Sequence, residues 1–161
     1  MTPRGLNQKG FTIIELIVVF SIIAVLSVIG VAVFVNYGRI QILESASSDL
    51  SSALLVAKSR AISQVNTVCK DKEQILNGYQ VVLFTSENRY ELQVVCSTNF
   101  TYRISSTTLP KNVTFSPFPT SASFFFQVIS SGVAGSGTIS LSAYGNVKII
   151  TVDPIGGIQT Q

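Results

Sequence analysis

The residue best placed for unusual chemistry is Glu15, which lies near the start of a long apolar stretch. Lys9, Gly10 and Phe11 precede it, and no charged residue follows between positions 16 and 38. An unpaired carboxylate within a membrane-spanning helix costs about 2.5–3.5 kcal/mol even on a lenient insertion scale, so such residues usually have partners. Glu15 therefore either lies among the lipid headgroups or pairs with a positive charge that another molecule supplies.

The two cysteines, Cys69 and Cys96, are the next candidates, and 26 residues separate them. If this part of the chain is exported to an oxidising compartment, we expect a disulfide, which would contribute about 3 kcal/mol to stability. Two buried free thiols are the alternative. A zinc site is disfavoured because the chain offers no further soft ligands and contains no histidine.

Catalytic chemistry has little support in the sequence. Without histidine the chain can form neither a His-based triad nor a His metal site. Its serines fall in strand and turn contexts, where hydroxyls cap and solvate the backbone. The glycine-rich segment GVAGSG (132–137) has no following helix to hold a phosphate, so we expect a flexible loop there. We predict that the chain is not an enzyme and uses no cofactor or metal.

Composition divides the chain into an anchor and a globular part. Of 161 residues, 47% are hydrophobic and 12% are charged, against about 25% charged in typical domains. The run LIVVFSIIAVLSVIGVAVFV (16–35) is long enough to cross the ~30 Å hydrocarbon core as a helix. Arg4 and Lys9 precede this run, which predicts a cytoplasmic N-terminus and an extracytoplasmic head. The net charge of +3 includes no polybasic tract, which argues against strong binding to nucleic acid.

Periodicity beyond the anchor predicts an α+β fold. Over 40–65 apolar residues recur every three or four positions, which indicates a helix with one narrow apolar stripe. The stripe comprises Leu43, Ala46, Leu50, Ala53, Ala57 and Ala61. After Asn66 the period becomes two, with strands expected over 78–85, 89–97, 100–107, 112–118, 123–130, 137–143 and 146–152. Turns around 86–89 and 144–146 predict two hairpins, so we expect an antiparallel sheet in a single globular unit.

Several of these segments resemble a known family. KGFTIIEL (9–16) resembles the processing motif of type IV prepilins and type II secretion pseudopilins. LSSALLVAKSRAIS (50–63) and the closing segment 124–158 are similar to GspH/FimT-type minor pilins and pseudopilins. The resemblance implies a type IV pilin-like fold, in which a long N-terminal helix packs on antiparallel sheets. The implied divisions are a cleaved leader (1–10), a transmembrane or filament-core helix (11–38), its amphipathic continuation (39–66) and a β-rich head (67–161).

The resemblance also assigns roles to the N-terminal residues. It implies that a prepilin peptidase cuts after Gly10 and that the new amine of Phe11 is N-methylated. Glu15 would pair with the Phe11 amine of a neighbouring subunit, in agreement with the physical need of two poorly solvated opposite charges for each other. The implied partners are the peptidase, other pilin or pseudopilin subunits, an inner-membrane assembly platform and, before assembly, membrane lipid.

The expected function is that of a structural subunit, a minor pilin or pseudopilin of a type IV pilus or type II secretion pseudopilus. The alternatives are a major pilin, a FimT-like DNA-uptake pilin and, more remotely, an unprocessed membrane-anchored extracytoplasmic protein. Binding of DNA would need clustered basic residues. The candidate contacts, Arg89, Arg103, Lys111 and Lys148, are spread over the strand region. A calcium site among Asp71, Glu73, Glu87 and Glu91, as in some major pseudopilins, lacks a recognisable loop motif.

Overall fold

The computed structural model describes residues 10–97, 100–116, 119–128 and 132–161, with the side chains of 28–30 and 32 excepted. The predicted leader therefore lies outside the described residues apart from Gly10. The chain divides into two compact units, Met1–Gly38 and Arg39–Gln161.

Helix α1 extends over Ile13–Ile62, a length of 50 residues. Its C-terminus is closed by two backbone bonds, in which the Gln64 N–H donates to the Ala61 carbonyl and the Val65 N–H to the Arg60 carbonyl. Gln64 has a φ of 50°, so this end is a Schellman motif with glutamine in the left-handed position that glycine usually takes. The helix therefore ends a few residues before the predicted boundary near 65. The boundary was predicted too late because no glycine marks the end of the helix in the sequence.

The described side chains of the first unit are mostly apolar and exposed. Phe20 is 64% exposed and Phe34 is 77% exposed. Over the part of the chain that the structure describes, no helix combines the length and the hydropathy required to cross a membrane. The membrane span over 11–38 stays a prediction.

The second unit contains two antiparallel sheets. The first has the strand order β3-β2-β1-β5-β6, and its members are β1 (Leu76–Phe84), β2 (Arg89–Cys96), β3 (Thr101–Thr108), β5 (Ser123–Gln127) and β6 (Val133–Ala134). The second has the order β4-β7-β8-β9, with β4 (Thr114–Phe115), β7 (Gly137–Ala143), β8 (Asn146–Val152) and β9 (Ile158–Thr160). A short helix, α2 (Val68–Asp71), precedes β1, and a 3-10 turn (Thr85–Glu87) joins β1 to β2.

One hydrophobic core joins α1 to both sheets. Five of the six predicted stripe residues are buried, and Leu54 is fully buried while the predicted Ala53 is only partly so. Alternating side chains of the two sheets complete the core, namely Tyr79, Val81, Phe124, Phe126, Ile139, Leu141, Ile150 and Val152. The predicted α+β fold, with a long helix packed on antiparallel sheets, is confirmed.

The predicted hairpins are present, and each turn contains residues in the left-handed backbone region. Asn88 has a φ of 47°, while Tyr144 and Gly145 have φ values of 51° and 82°. Two positive φ values in a two-residue loop match the twist of the adjacent strands β7 and β8. Asparagine and glycine in these turns were the local signals from which the hairpins could be predicted.

The C-terminal half differs from the sequence prediction in its short strands. The segment 132–137, expected to be a loop, contains β6, and the tail contains β9, which pairs with β8. The predicted strand 112–118 shortens to β4 before residues 117–118, which lie outside the described residues. The predicted strand 123–130 ends at Gln127, with 129–130 also outside them. Strands of two or three residues are too short to show a period of two.

The tail is fixed to α1 by polar contacts. The Lys58 Nζ donates to the Gly156 carbonyl at 2.8 Å. The hydroxyls of Ser51 and Thr160 lie 2.9 Å apart. Because both contacts join residues about 100 positions apart, no local pattern in the tail could have announced them.

Candidate functional site

The start of α1 is built as a capped helix terminus. The Glu15 N–H donates to the Thr12 Oγ1 at 3.3 Å, and the Leu16 N–H donates to the Thr12 carbonyl at 3.2 Å. Thr12 is thus the N-cap and Glu15 the third helical residue, which is the spacing of a capping box. Sequence reasoning centred on Glu15 missed Thr12, although the pattern T-x-x-E was available to identify it.

Gly10 and Phe11 lie just before this cap and are accessible. Phe11 is 76% exposed. A Cβ placed on Gly10 would meet no atom within 4 Å, so the described residues do not crowd the bond between Gly10 and Phe11.

Glu15 is exposed in the first turn of α1. A negative charge at this end of a helix is stabilised by the helix dipole, typically by 0.3–1 kcal/mol. Among the described residues, the ion pairs involve Glu87, Glu91 and Glu44 but not Glu15. The carboxylate therefore helps to begin the helix and has no cationic partner in the described part of its own chain.

Cys69 of α2 and Cys96 at the end of β2 form a disulfide, with their Cα atoms 5.7 Å apart. Both residues are completely buried. The predicted disulfide is therefore present, and it fastens the segment that follows α1 to the first sheet. The Tyr79 hydroxyl donates to the Val65 carbonyl at 2.5 Å and fixes the same segment from β1. Burial raises the pKa of Tyr79, which keeps this hydroxyl protonated as a donor.

The four predicted DNA contacts do not form one basic cluster. Arg89 and Arg103 both lie against Glu91 on the first sheet, and Arg89 also contacts Glu87 at 2.5 Å. Lys148 is on β8 of the second sheet and contacts the Glu44 carboxylate at 2.7 Å. Lys111 lies in the connection between β3 and β4. Three of the four cations are therefore paired with acids, and DNA contact stays a prediction.

Glu91 is a nearly buried carboxylate held in a polar network. It accepts hydrogen bonds from Arg89, from Arg103 at 3.3 Å and from the Gln93 Nε2 at 2.8 Å. Burial by itself raises the pKa of Glu91, but the bonds from Gln93, Arg103 and Arg89 outweigh it and lower the pKa below its usual value. The carboxylate therefore remains charged at neutral pH and offsets the arginines beside it.

The acids considered for calcium do not assemble into a metal site in the structure. Over the described residues, no group of three or more histidine, cysteine, aspartate or glutamate side chains is placed to hold an ion. Glu87 and Glu91 instead contact Arg89, as described above.

Comparison with known proteins identifies the N-terminal motif and the fold separately. Residues 5–31 match the family model of the prokaryotic N-terminal methylation motif. The structure is similar to that of the minor pseudopilin EpsH from the type 2 secretion system of Vibrio cholerae, with a TM-score of 0.53. The match covers 74% of this chain and 95% of that chain, at 15% sequence identity. No curated protein matches the sequence.

Residues 5–31 therefore carry an N-terminal methylation motif, and the chain has a fold similar to that of the minor pseudopilin EpsH. The residues that match the methylation motif include Gly10, Phe11, the Thr12 cap and Glu15. The second unit, Arg39–Gln161, contains the hydrophobic core. The arrangement of its helix and antiparallel sheets is similar to that in the pseudopilin structure.

Proposed function

We propose that this protein is a minor pilin or pseudopilin, inserted into a type IV pilus or type II secretion pseudopilus through its N-terminal helix. The observation that carries the proposal is the helix start itself. A capped terminus, an accessible bond after Gly10 and a carboxylate without a described partner occur together, directly before an exposed apolar helix. We expect the protein to have no catalytic activity.

The first step of the proposal is cleavage between Gly10 and Phe11 by a prepilin peptidase. Hydrolysis creates an α-amine on Phe11, which N-methylation leaves positively charged. Before cleavage, the 16–38 stretch without charges would anchor the subunit in the inner membrane, with Arg4 and Lys9 on the cytoplasmic side. The exposed apolar side chains of α1 support this anchoring, since lipid would cover them.

The second step is pairing of the new amine with Glu15 of a neighbouring subunit. Both charges would leave water when the helices associate, and an unpaired charge in that environment is strongly unfavourable. Apolar contact between helices would supply most of the association free energy, while the charge pair would set the axial register. The carboxylate is available for this because it enters no ion pair among the described residues, and the Thr12 hydroxyl accepts from the Glu15 backbone N–H rather than contacting the carboxylate.

The experiment for cleavage is mass spectrometry of the N-terminal peptide from cells that contain a prepilin peptidase. We expect a chain that begins with methylated Phe11. The variant Gly10→Leu should leave the leader attached, because a side chain then stands at the scissile bond. Gly38→Leu is the matched control, since a Cβ there also meets nothing within 4 Å, and it should be cleaved normally. An intact N-terminus in the unmodified chain would refute the proposal.

The experiment for pairing compares Glu15→Gln with Glu44→Gln. Both residues are exposed acids of α1, but Glu44 lies in the second unit and contacts Lys148. We expect Glu15→Gln to reduce incorporation into sheared filaments or pseudopili by at least tenfold at equal membrane abundance, while Glu44→Gln has little effect. Equal incorporation of Glu15→Gln and the unmodified chain would show that the pair does not direct assembly. The abundance of the subunit in the same filaments separates a minor from a major role.

A further inference from the structure

The face of the first sheet that points away from α1 carries a pocket of ≈ 630 Å³. Tyr79, Val81, Phe124 and Phe126 fill the core on the other face. Because side chains alternate along a strand, Gln80 and Phe125 lie on the outward face. The volume is within the range of small-ligand sites, about 300–1,000 Å³.

The pocket is lined by neutral polar groups and one aromatic ring. The side-chain amides of Asn77, Gln80 and Gln127, the Thr101 hydroxyl and the Phe125 ring contribute, together with aliphatic side chains. None of the lining residues is ionisable. A ligand with a phosphate or carboxylate would find no charged partner in this lining, whereas a neutral polar ligand would find both donors and acceptors.

The lining residues are held in place by the sheet. Phe125 is opposite Gln80 in the register, and Gln80 is opposite Gln93. The Gln80 Nε2 donates to the Gln93 Oε1 at 2.8 Å, and the Asn77 Nδ2 donates to the Cys96 carbonyl at 3.2 Å. A primary amide has two donor hydrogens and an acceptor oxygen, so each of these groups is oriented while keeping capacity for a ligand.

The position of the ring depends on a glycine beneath it. A Cβ on Gly78 would lie 2.8 Å from the Phe125 Cε2 and 2.2 Å from the Phe126 carbonyl oxygen. Only glycine therefore allows β5 and the Phe125 ring to approach β1 this closely. The ring forms a firm apolar surface beside the amides.

The charges further along the same face cancel. Gln93 links the pocket to Glu91, which pairs with Arg89 and Arg103, and Arg89 also pairs with Glu87. Two arginines and two glutamates leave no net charge there. This arrangement disfavours nucleic acid, whose binding depends on uncompensated cations.

We propose that this pocket, called the amide pocket, binds neutral saccharide. A sugar hydroxyl both donates and accepts hydrogen bonds, as the oriented amides require, and the apolar face of a sugar ring would cover the Phe125 ring. An extended peptide is disfavoured because most of the lining residues belong to β1, β2 and β5, whose backbones are paired on both sides, while Thr101 alone belongs to the edge strand β3. The proposal does not rest on the proposed function, because none of the lining residues belongs to the first unit.

The test uses the full chain in a detergent without a sugar headgroup, labelled and applied to an array. The array carries neutral oligosaccharides of glucose, galactose and N-acetylglucosamine, acidic oligosaccharides and unstructured peptides. We expect binding to neutral oligosaccharides, followed by titration calorimetry with the strongest of them. Absence of neutral-saccharide binding, or binding confined to acidic saccharides or peptides, would overturn the proposal.

Variants then locate the site. Gln127→Ala removes an exposed lining amide and should weaken binding about 3–10-fold, the effect of one lost hydrogen bond. Gln159→Ala, the same change at an exposed residue of β9, is the matched control and should not alter the dissociation constant. Phe125→Leu keeps an apolar group but removes the ring, and should weaken binding with unchanged circular dichroism. Binding insensitive to both Gln127→Ala and Phe125→Leu would place the saccharide elsewhere and refute the amide pocket.

Discussion

The two units of the chain use the same apolar residue types in opposite ways. In Met1–Gly38 the described apolar side chains face outward, with Phe20 64% exposed. In Arg39–Gln161 Phe124 is completely buried, and α1, β1, β5, β7 and β8 contribute to one core. The second unit obtains its hydrophobic stabilisation within the chain, whereas the first can obtain it only when lipid or other helices cover it.

The comparison also explains why the two units differ in polar contacts. The second unit contains the disulfide and all four described ion pairs. In the first unit the Ser21 and Ser27 hydroxyls make local contacts, in which each donates to a carbonyl one turn earlier in α1. These hydroxyls satisfy their hydrogen-bonding capacity within α1, which suits the covering by apolar neighbours that we propose for this surface.

The same substitution, phenylalanine to alanine, made once in each unit tests whether burial of apolar side chains stabilises only the second unit. Phe124→Ala should lower the free energy of unfolding of the second unit by about 3–5 kcal/mol, because it leaves a cavity in the core. Phe20→Ala should change the same quantity by less than about 0.5 kcal/mol, as expected for an exposed position. Denaturant titration of the detergent-solubilised chain, followed by tyrosine fluorescence, measures both. Equal losses would show that the stability of the two units is not separable.

The disulfide should account for the next largest effect. Replacing Cys69 and Cys96 together by serine should cost about 3 kcal/mol, because the unfolded chain regains the entropy of the loop between them. Reduction of the unmodified chain should give a similar loss in the same denaturant titration. A loss below about 1 kcal/mol in both the double variant and the reduced chain would mean that other contacts already fix the segment that follows α1. The hydrogen bond from Tyr79 to Val65 is one such contact.

Glu91 should make the stability of the second unit depend on pH. Its pKa is lowered in the folded chain, while a glutamate in the unfolded chain has a pKa of about 4.3. The unfolded state therefore binds the proton first, so the contribution of Glu91 is complete above that value and is lost as pH falls through the lower folded pKa.

Glu91→Gln should remove this pH-dependent contribution to stability. At pH 7 it should lower the free energy of unfolding by about 1 kcal/mol, because Arg89 and Arg103 lose the carboxylate that they share. Denaturant titrations at neutral and acidic pH measure it, and the loss of stability on acidification should be smaller in the variant. Glu87→Gln is a control, because that acid is exposed and contacts only Arg89 among the described residues. An unchanged pH profile in Glu91→Gln would refute the assignment.

The pair between Lys148 and Glu44 should have the smallest effect. It joins β8 to the part of α1 in the second unit, but both side chains are partly exposed, so we expect a coupling energy of about 0.5 kcal/mol. A double-mutant cycle with both alanine variants measures it, and high salt should reduce it further. A coupling energy above about 2 kcal/mol would contradict this expectation. It would show that surface ion pairs contribute substantially to the stability of the second unit, beside its hydrophobic core.

Features with a local cause could be predicted from sequence. The apolar stripe of α1 was visible in its spacing, and the hairpins were marked by turn residues such as Gly145 and Asn88. The end of α1 was placed too late because Gln64 replaces the glycine that commonly stops a helix. The strands β6 and β9 were missed because their residues extend only by pairing with β5 and β8.

The sequence by itself determined the motif that runs from Gly10 to Glu15, the apolar stretch behind it and the alternation that builds a β-rich unit. Each depends on neighbours in the chain, through helix capping, hydropathy or strand period. Only the tertiary structure decided that Arg89 and Arg103 share Glu91 as a partner and that Gln80 and Phe125 line one pocket. Those groupings depend on the register between strands, and register is fixed by the shared core rather than by any single segment.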